Sequence, residues 1–116
     1  GISGDNPMIL VKIKDVNDCD IITELLKAKE FFNMKNIAVD IIILNEEKNV
    51  YEQYVKEKIE AEIFNKHLEY LINQNNGIFI LKSNEMEKKD IRTLFFRANI
   101  MLDASKGNIR KPIGRR

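Results

Sequence analysis

Between Ile37 and Leu44 the chain reads Ile-Ala-Val-Asp-Ile-Ile-Ile-Leu, nearly continuous in branched aliphatic side chains with one acid inside. A strand with one wet face alternates apolar and polar residues, whereas a strand covered on both faces does not. The run therefore predicts a strand at the centre of a sheet with helices on both sides. Met8-Ile9-Leu10-Val11-Lys12-Ile13, bounded by Pro7 and Asp15, predicts a first strand before it. Between the two, Ile21, Ile22, Leu25, Leu26, Ala28, Phe32 and Met34 recur at helical spacing, with Asn17 or Asp18 as the cap and Lys35-Asn36 as the end.

Past the polar break at 45–49, Tyr51, Tyr54, Val55, Ile59, Ile63, Leu68, Leu71 and Ile72 predict one long charged helix reaching Gln74. Asn75-Asn76-Gly77 stops it, with Gly77 available for a positive φ. Ile78-Phe79-Ile80-Leu81 predicts a third strand, and 83–90 holds the cap of a helix carrying Ile91, Leu94 and Phe95. Residues 99–103 fit either an extension of that helix or a fourth strand. Strands alternating with helices on crossover-length connections define the α/β class. The expected architecture is three-layer and Rossmann-like, a parallel sheet of three or four strands with helices on both faces.

Residues 1–105 form the expected single domain, and 106–116 read as a basic linker or tail with Pro112, two glycines and Lys106, Arg110, Lys111, Arg115 and Arg116. The chain's formal charge of +1 thus hides a mildly acidic body, a poor surface for nucleic acid. The single cysteine, Cys19, makes no internal disulfide and fits a reducing, cytoplasmic compartment. No apolar run approaches the roughly 20 residues that span a bilayer, so no membrane contact by this segment is expected. Gly1 rather than Met at the start fits a processed or excised segment.

A Rossmann-like order invites a phosphate cradle after the first strand, but Lys14-Asp15-Val16-Asn17-Asp18 has no glycine and carries acids that repel a pyrophosphate. No dinucleotide or other cofactor is called for. Ligands of open α/β sheets lie beyond the carboxyl ends of the strands, where this chain offers Lys14, Asp15, Asn45, Glu46 and Ser83. Asp15 and Glu46 form a carboxylate pair or cation site if their strands are adjacent, or are simply polar loop ends. Tyr51 and Tyr54 are the best aromatics for a sugar platform, with packing on the sheet as the alternative. His67 reads as a surface residue without a second His to build a metal site or relay. Cys19 near a helix start fits a lowered pKa, yet lacks a His partner for nucleophilic work. No catalytic residue and no metal ligand set is identified, and composition and motif chemistry assign no reaction.

Three stretches in this order resemble a known family: Gly1-Ile2-Ser3-Gly4-Asp5-Asn6-Pro7 leading into Ile9–Ile13, then Glu24-Leu25-Leu26-Lys27-Ala28-Lys29-Glu30-Phe31-Phe32, then Val39-Asp40-Ile41-Ile42-Ile43-Leu44-Asn45-Glu46. They resemble a non-catalytic segment of the cyclic β-1,2-glucan synthases and related β-1,2-oligoglucan phosphorylases, the glycoside hydrolase family 94 group formerly called glycosyltransferase family 36. The likeness continues through Gly77–Leu81 and fades after Asp90. It implies a parent transferase of carbohydrate metabolism that uses inorganic phosphate to cleave, or in reverse to build, β-1,2-linked glucose chains with inversion. In that family the general acid belongs to an (α/α)6 barrel outside this segment, so no catalytic residue carries over. Gly4, Asp5, Pro7, Val39, Asp40, Leu44, Asn45 and Glu46 match, and the first three are expected to turn tightly into strand one. Where the family has a His after Ala28, this chain has Lys29.

The resemblance implies an accessory domain that packs against and orients the parent's other domains, with glucan contact, in a parent attached to the inner membrane with this segment on its cytoplasmic side. Two rivals stand beside it. One is a module binding phosphate or an anionic small molecule near Lys14, Asn45 and Ser83; the other is a protein-interaction domain with an exposed apolar patch.

Overall fold

The computed structural model describes residues 2, 4–48, 53–106 and 108–109. Along the chain run β1 (Met8–Ile13), α1 (Asp20–Met34), β2 (Asp40–Asn45), α2 (Tyr54–Asn65), β3 (Ile78–Lys82), α3 (Lys88–Arg97), β4 (Ile100–Asp103) and β5 (Asn108–Ile109). The sheet order is β3-β2-β1-β4-β5. β1 pairs in parallel with β2 (Met8↔Asp40 to Ile13↔Asn45) and with β4 (Ile9↔Ile100 to Lys12↔Asp103), and β2 pairs in parallel with β3. β5 closes the edge antiparallel to β4. The fold is α/β and Rossmann-like, and 100–103 is a strand.

The burial of β2 is complete over all six residues, as its aliphatic run required. Its place is interior rather than central, because the chain returns through α3 to lay β4 on the free edge of β1, which makes β1 the middle strand. Alternation along β1 and β2 divides the core into two layers. Val11, Ile13, Ile41 and Ile43 meet α1 through Ile22, Leu25 and Leu26, and α2 through Val55, Ile59 and Ile63. Met8, Leu10, Ile42, Leu44 and Phe79 point the other way, to α3, which contributes Leu94. Each such aliphatic side chain removed from water stabilises the fold by about 1.5–3 kcal/mol.

The helix ends differ from the sequence reading in instructive ways. A 3-10 turn, Val16–Cys19, precedes α1, capped by Asp15, whose carboxylate accepts the Asn17 N–H at 3.0 Å. Asp18 reciprocates by accepting the N–H of Asp15 at 3.1 Å. The long helix expected to reach Gln74 stops at Asn65. His67 turns left-handed (φ 59°), and the Leu68 N–H reaches back to the Ile63 carbonyl at 3.1 Å while the His67 N–H bonds the Phe64 carbonyl at 3.0 Å. This is a Schellman closure, in which the buried Leu68 supplies the apolar contact. Leu68 and Leu71 keep the apolar spacing because the following turn, Glu69–Leu71, serves the same core layer. α1 ends the same way, with Asn36 at φ 58° and the Ile37 N–H on the Phe32 carbonyl at 2.8 Å, so β2 begins at Asp40 instead of Ile37.

Before β3, the left-handed residues are Asn73 and Asn76 (φ 61° and 59°), not Gly77. Gly77 is needed for space, since a Cβ there would run into the carbonyls of Leu71 and Gln74. Of the segment 106–116 read as a tail, Asn108 and Ile109 pair with β4, and 110–116 lie outside the described residues. Among the described residues no helix is long and apolar enough to cross a membrane.

Candidate site at the carboxyl edge of the sheet

All four parallel strands deliver their carboxyl ends to one edge, and the side chains there follow from the pleat. Lys12 shares the parity of Met8 and Leu10, so it points toward α3, where a charge needs compensation. It finds Glu46 Oε1 at 3.9 Å and Asp103 Oδ2 at 4.0 Å, and its ammonium lies 5.3 Å from the centre of the Phe95 ring. Asp103 is itself fixed by the Ser105 hydroxyl, which donates at 2.6 Å, and by the Ser105 N–H at 3.1 Å. The turn 104–106 packs on β1 and on the turn after it, with Ala104 against the core. It lies by β1 and follows directly from β4, where open α/β sheets commonly offer a crevice to ligands.

The open space lies instead over the ends of β1, β2 and β3. A cleft of about 570 Å³ is lined by Lys12, Lys14, Glu46, Glu47, Lys48, Ser83 and Asn84. The structure thus brings together Lys14, Glu46 and Ser83 from three separate strand ends. Asn45, buried, lines a neighbouring cleft of about 230 Å³ with Gln53, Lys56 and Lys82. The Asn45 side-chain oxygen accepts the Glu47 N–H at 2.9 Å, which shapes the chain leaving β2. Glu47 in turn accepts the Val55 N–H at 3.4 Å in the first turn of α2.

Asp15 and Glu46 do not form the expected pair although β1 and β2 are adjacent. Asp15 is occupied as a cap and Glu46 faces Lys12. Among the described residues no group of three or more His, Cys, Asp or Glu could hold a metal ion. Tyr51 lies outside the described residues, and Tyr54 opens α2 as an exposed residue outside both clefts. His67 is exposed, and its role is the helix end described above. Cys19 departs from the expected lowered pKa: burial, reinforced by Asp18, pushes the thiol up to about 11. Such a thiol is inert as a nucleophile at neutral pH.

Gly4, Asp5 and Pro7 stand at the opposite, amino edge. Gly4 takes φ 81°, a backbone conformation that favours glycine, while a Cβ there would only displace the flexible end of the Arg97 side chain. This edge also holds what sequence reasoning missed. Lys29, fully buried, donates to the Val39 carbonyl and to the Asn76 side-chain oxygen, both at 2.6 Å. Asn76 also receives the Val39 N–H at 2.9 Å, while Asp40 accepts the Gly77 N–H at 3.2 Å and an Asn6 side-chain N–H at 3.5 Å. Burial lowers the Lys29 pKa, against which Asp40 pulls upward. The signal was available in part: Lys29 falls on the same helical stripe as Ile22, Leu25 and Leu26.

The carboxyl-edge cleft offers three ammonium groups and two carboxylates around an open hollow. Such an arrangement can bind anionic or hydroxyl-rich ligands by charge and hydrogen bonding. No family model matches the chain, and no solved structure matches it. A curated relative does: over 115 residues the chain is 29% identical to the cyclic beta-(1,2)-glucan synthase NdvB of Rhizobium meliloti (strain 1021). The alignment covers 98% of this chain, which spans only 4% of the length of that relative. The chain is therefore similar, almost from end to end, to one short segment of a cyclic β-(1,2)-glucan synthase.

Proposed function

We propose that this domain is a non-catalytic accessory domain of a multidomain enzyme of the cyclic β-1,2-glucan synthase type, packing against and orienting the neighbouring domains. The observation that carries this reading is the match itself, which takes in nearly all of this fold and a twenty-fifth of the relative. A parent of the glycoside hydrolase family 94 kind would place phosphorolysis or transfer on a separate barrel, and this α/β domain would contribute position and glucan contact at its carboxyl edge. The buried thiol and the cap and ion-pair duties of Asp15 and Glu46 support a scaffold more than a reaction centre.

A second reading, a phosphate-binding or other anion-binding module, is favoured by one observation, the convergence of Lys12, Lys14 and Lys48 with Ser83 on one cleft. Both are tested on the isolated chain by amide NMR during titration with linear β-1,2-gluco-oligosaccharides and then with inorganic phosphate, with product analysis of the same mixtures. The accessory reading expects a folded protein and no turnover, with any oligosaccharide shifts confined to Asn45, Glu46 and their neighbours. Turnover of the glucan would overturn it. Saturable shifts with phosphate alone, lost in Lys14→Ala, would establish the second reading in its place.

A further inference from the structure

α3 presents to solvent a face that the apolar core does not use. Its inward side is Leu94 with the half-buried Ile91 and Phe95. On the opposite side Lys89, Arg92 and Phe96 follow one another at i, i+3 and i+7, a single helical stripe. With Thr93 and Arg97 they line an open trough of about 590 Å³. Phe96 is 82% exposed, the most exposed large apolar side chain among the described residues. The helix carries Lys88, Lys89, Arg92 and Arg97 against Asp90 alone, on a body whose remaining charge is acidic. Among the described residues one ion pair relieves this stripe, Lys89 with Glu87 at 3.7 Å on an exposed surface. Like charges one turn apart destabilise the free helix, and the exposed ring adds the cost of its hydration.

We propose that the outward face of α3 docks an acidic protein segment, with the Phe96 ring seated in an apolar recess of the partner and Lys89, Arg92 and Arg97 ringed around it. An aromatic anchor flanked by arginine is the composition of a protein-interface centre. A lipid surface is the poorer fit, because helices that lie in the bilayer interface bring a broad apolar face and α3 offers one outward ring. Nucleic acid is poorer still, since a continuous phosphate backbone extends past this one short helix onto the acidic body, whereas a short acidic segment need touch only α3. The proposal rests on the accessory-domain reading for the partner's being another part of a longer enzyme, and on the face itself for the partner's chemistry.

The test is an amide NMR titration of the whole chain with a short amphipathic helical peptide built of Glu and Leu. Parallel arms use phosphatidylglycerol–phosphatidylcholine vesicles and a thymidine oligonucleotide. The expected result is saturable shifts along Lys89–Arg97, weakened by salt and about ten-fold or more weaker in both Phe96→Ala and Arg92→Glu. Both sites are exposed, so the variants keep the fold, which the remaining spectrum checks. No saturable shift with the peptide, equal binding by Phe96→Ala, or shifts with vesicles or oligonucleotide in preference to the peptide would each overturn the proposal. Glucan turnover by the chain would sink the accessory reading while leaving a positive peptide result standing, so the two failures are distinguishable.

Discussion

Lys29 shows how one buried charge can be held without a carboxylate in contact. Its ammonium gives hydrogen bonds to a main-chain carbonyl and to Asn76, which ties α1 to the start of β2 and to the turn before β3. Burial still disfavours the charged form, and its pKa falls below the ordinary 10.5. A lysine with a depressed folded pKa binds fewer protons folded than unfolded in the alkaline window below 10.5, so stability rises with pH there. The penalty returns as pH falls through the folded pKa. Cys19 acts with the opposite sign: its raised pKa makes stability fall as pH climbs above 9.0 toward about 11. The difference between wild type and Lys29→Met isolates the lysine. Chemical denaturation across the alkaline range should show the wild type gaining relative to the variant as pH rises. A pH-independent difference would contradict the burial argument. At neutral pH the variant loses two hydrogen bonds but also a buried charge, and the net change should be within about 1–3 kcal/mol destabilising.

At the scale of elements, the end of α2 turns on a histidine in a conformation that suits glycine. A left-handed residue with a Cβ carries local strain, and His67 is exposed. His67→Gly should therefore raise stability by about 0.5–1 kcal/mol, and His67→Val should lower it by a similar amount, both read from thermal melts. If glycine were destabilising, the closure through Ile63, Phe64 and Leu68 would not be what stops the helix. The same residue explains a limit of the sequence reading. Apolar spacing cannot distinguish a helix that continues from one that closes and hands Leu68 and Leu71 to the same core layer. The strands were legible because branched aliphatics in unbroken runs have few alternatives, and Lys14, Glu46 and Ser83 were legible because polar residues at strand ends must gather at one edge. Lys12 with Asp103, and Lys29 with Asn76, were not legible. They depend on the placing of β4 beside β1 and on a left-handed turn, neither of which any local pattern encodes.

At the scale of the whole molecule, the two layers covering the sheet are unequal. α1 buries Ile22, Leu25, Leu26 and Lys29, and α2 buries Val55, Ile59 and Ile63, whereas α3 buries Leu94 alone. The sheet between them is held by pairings of six residues between β1 and β2, five between β2 and β3 and four between β1 and β4, with β1 in the middle. Opening α3 uncovers part of one apolar face; opening either other helix breaks into the larger cluster that reaches both the sheet and its partner helix. Native-state amide exchange in rising denaturant should then show α3 amides exchanging through a partial opening, at a free energy about 2 kcal/mol or more below that of β1 and β2 amides. A common free energy for all elements would mean that the sheet and both layers unfold as one unit. The proposed acidic partner meets the domain on its least anchored layer, where binding adds most to local protection. The same exchange experiment repeated with the Glu and Leu peptide should raise α3 toward the protection of the sheet and leave α1 and α2 unchanged.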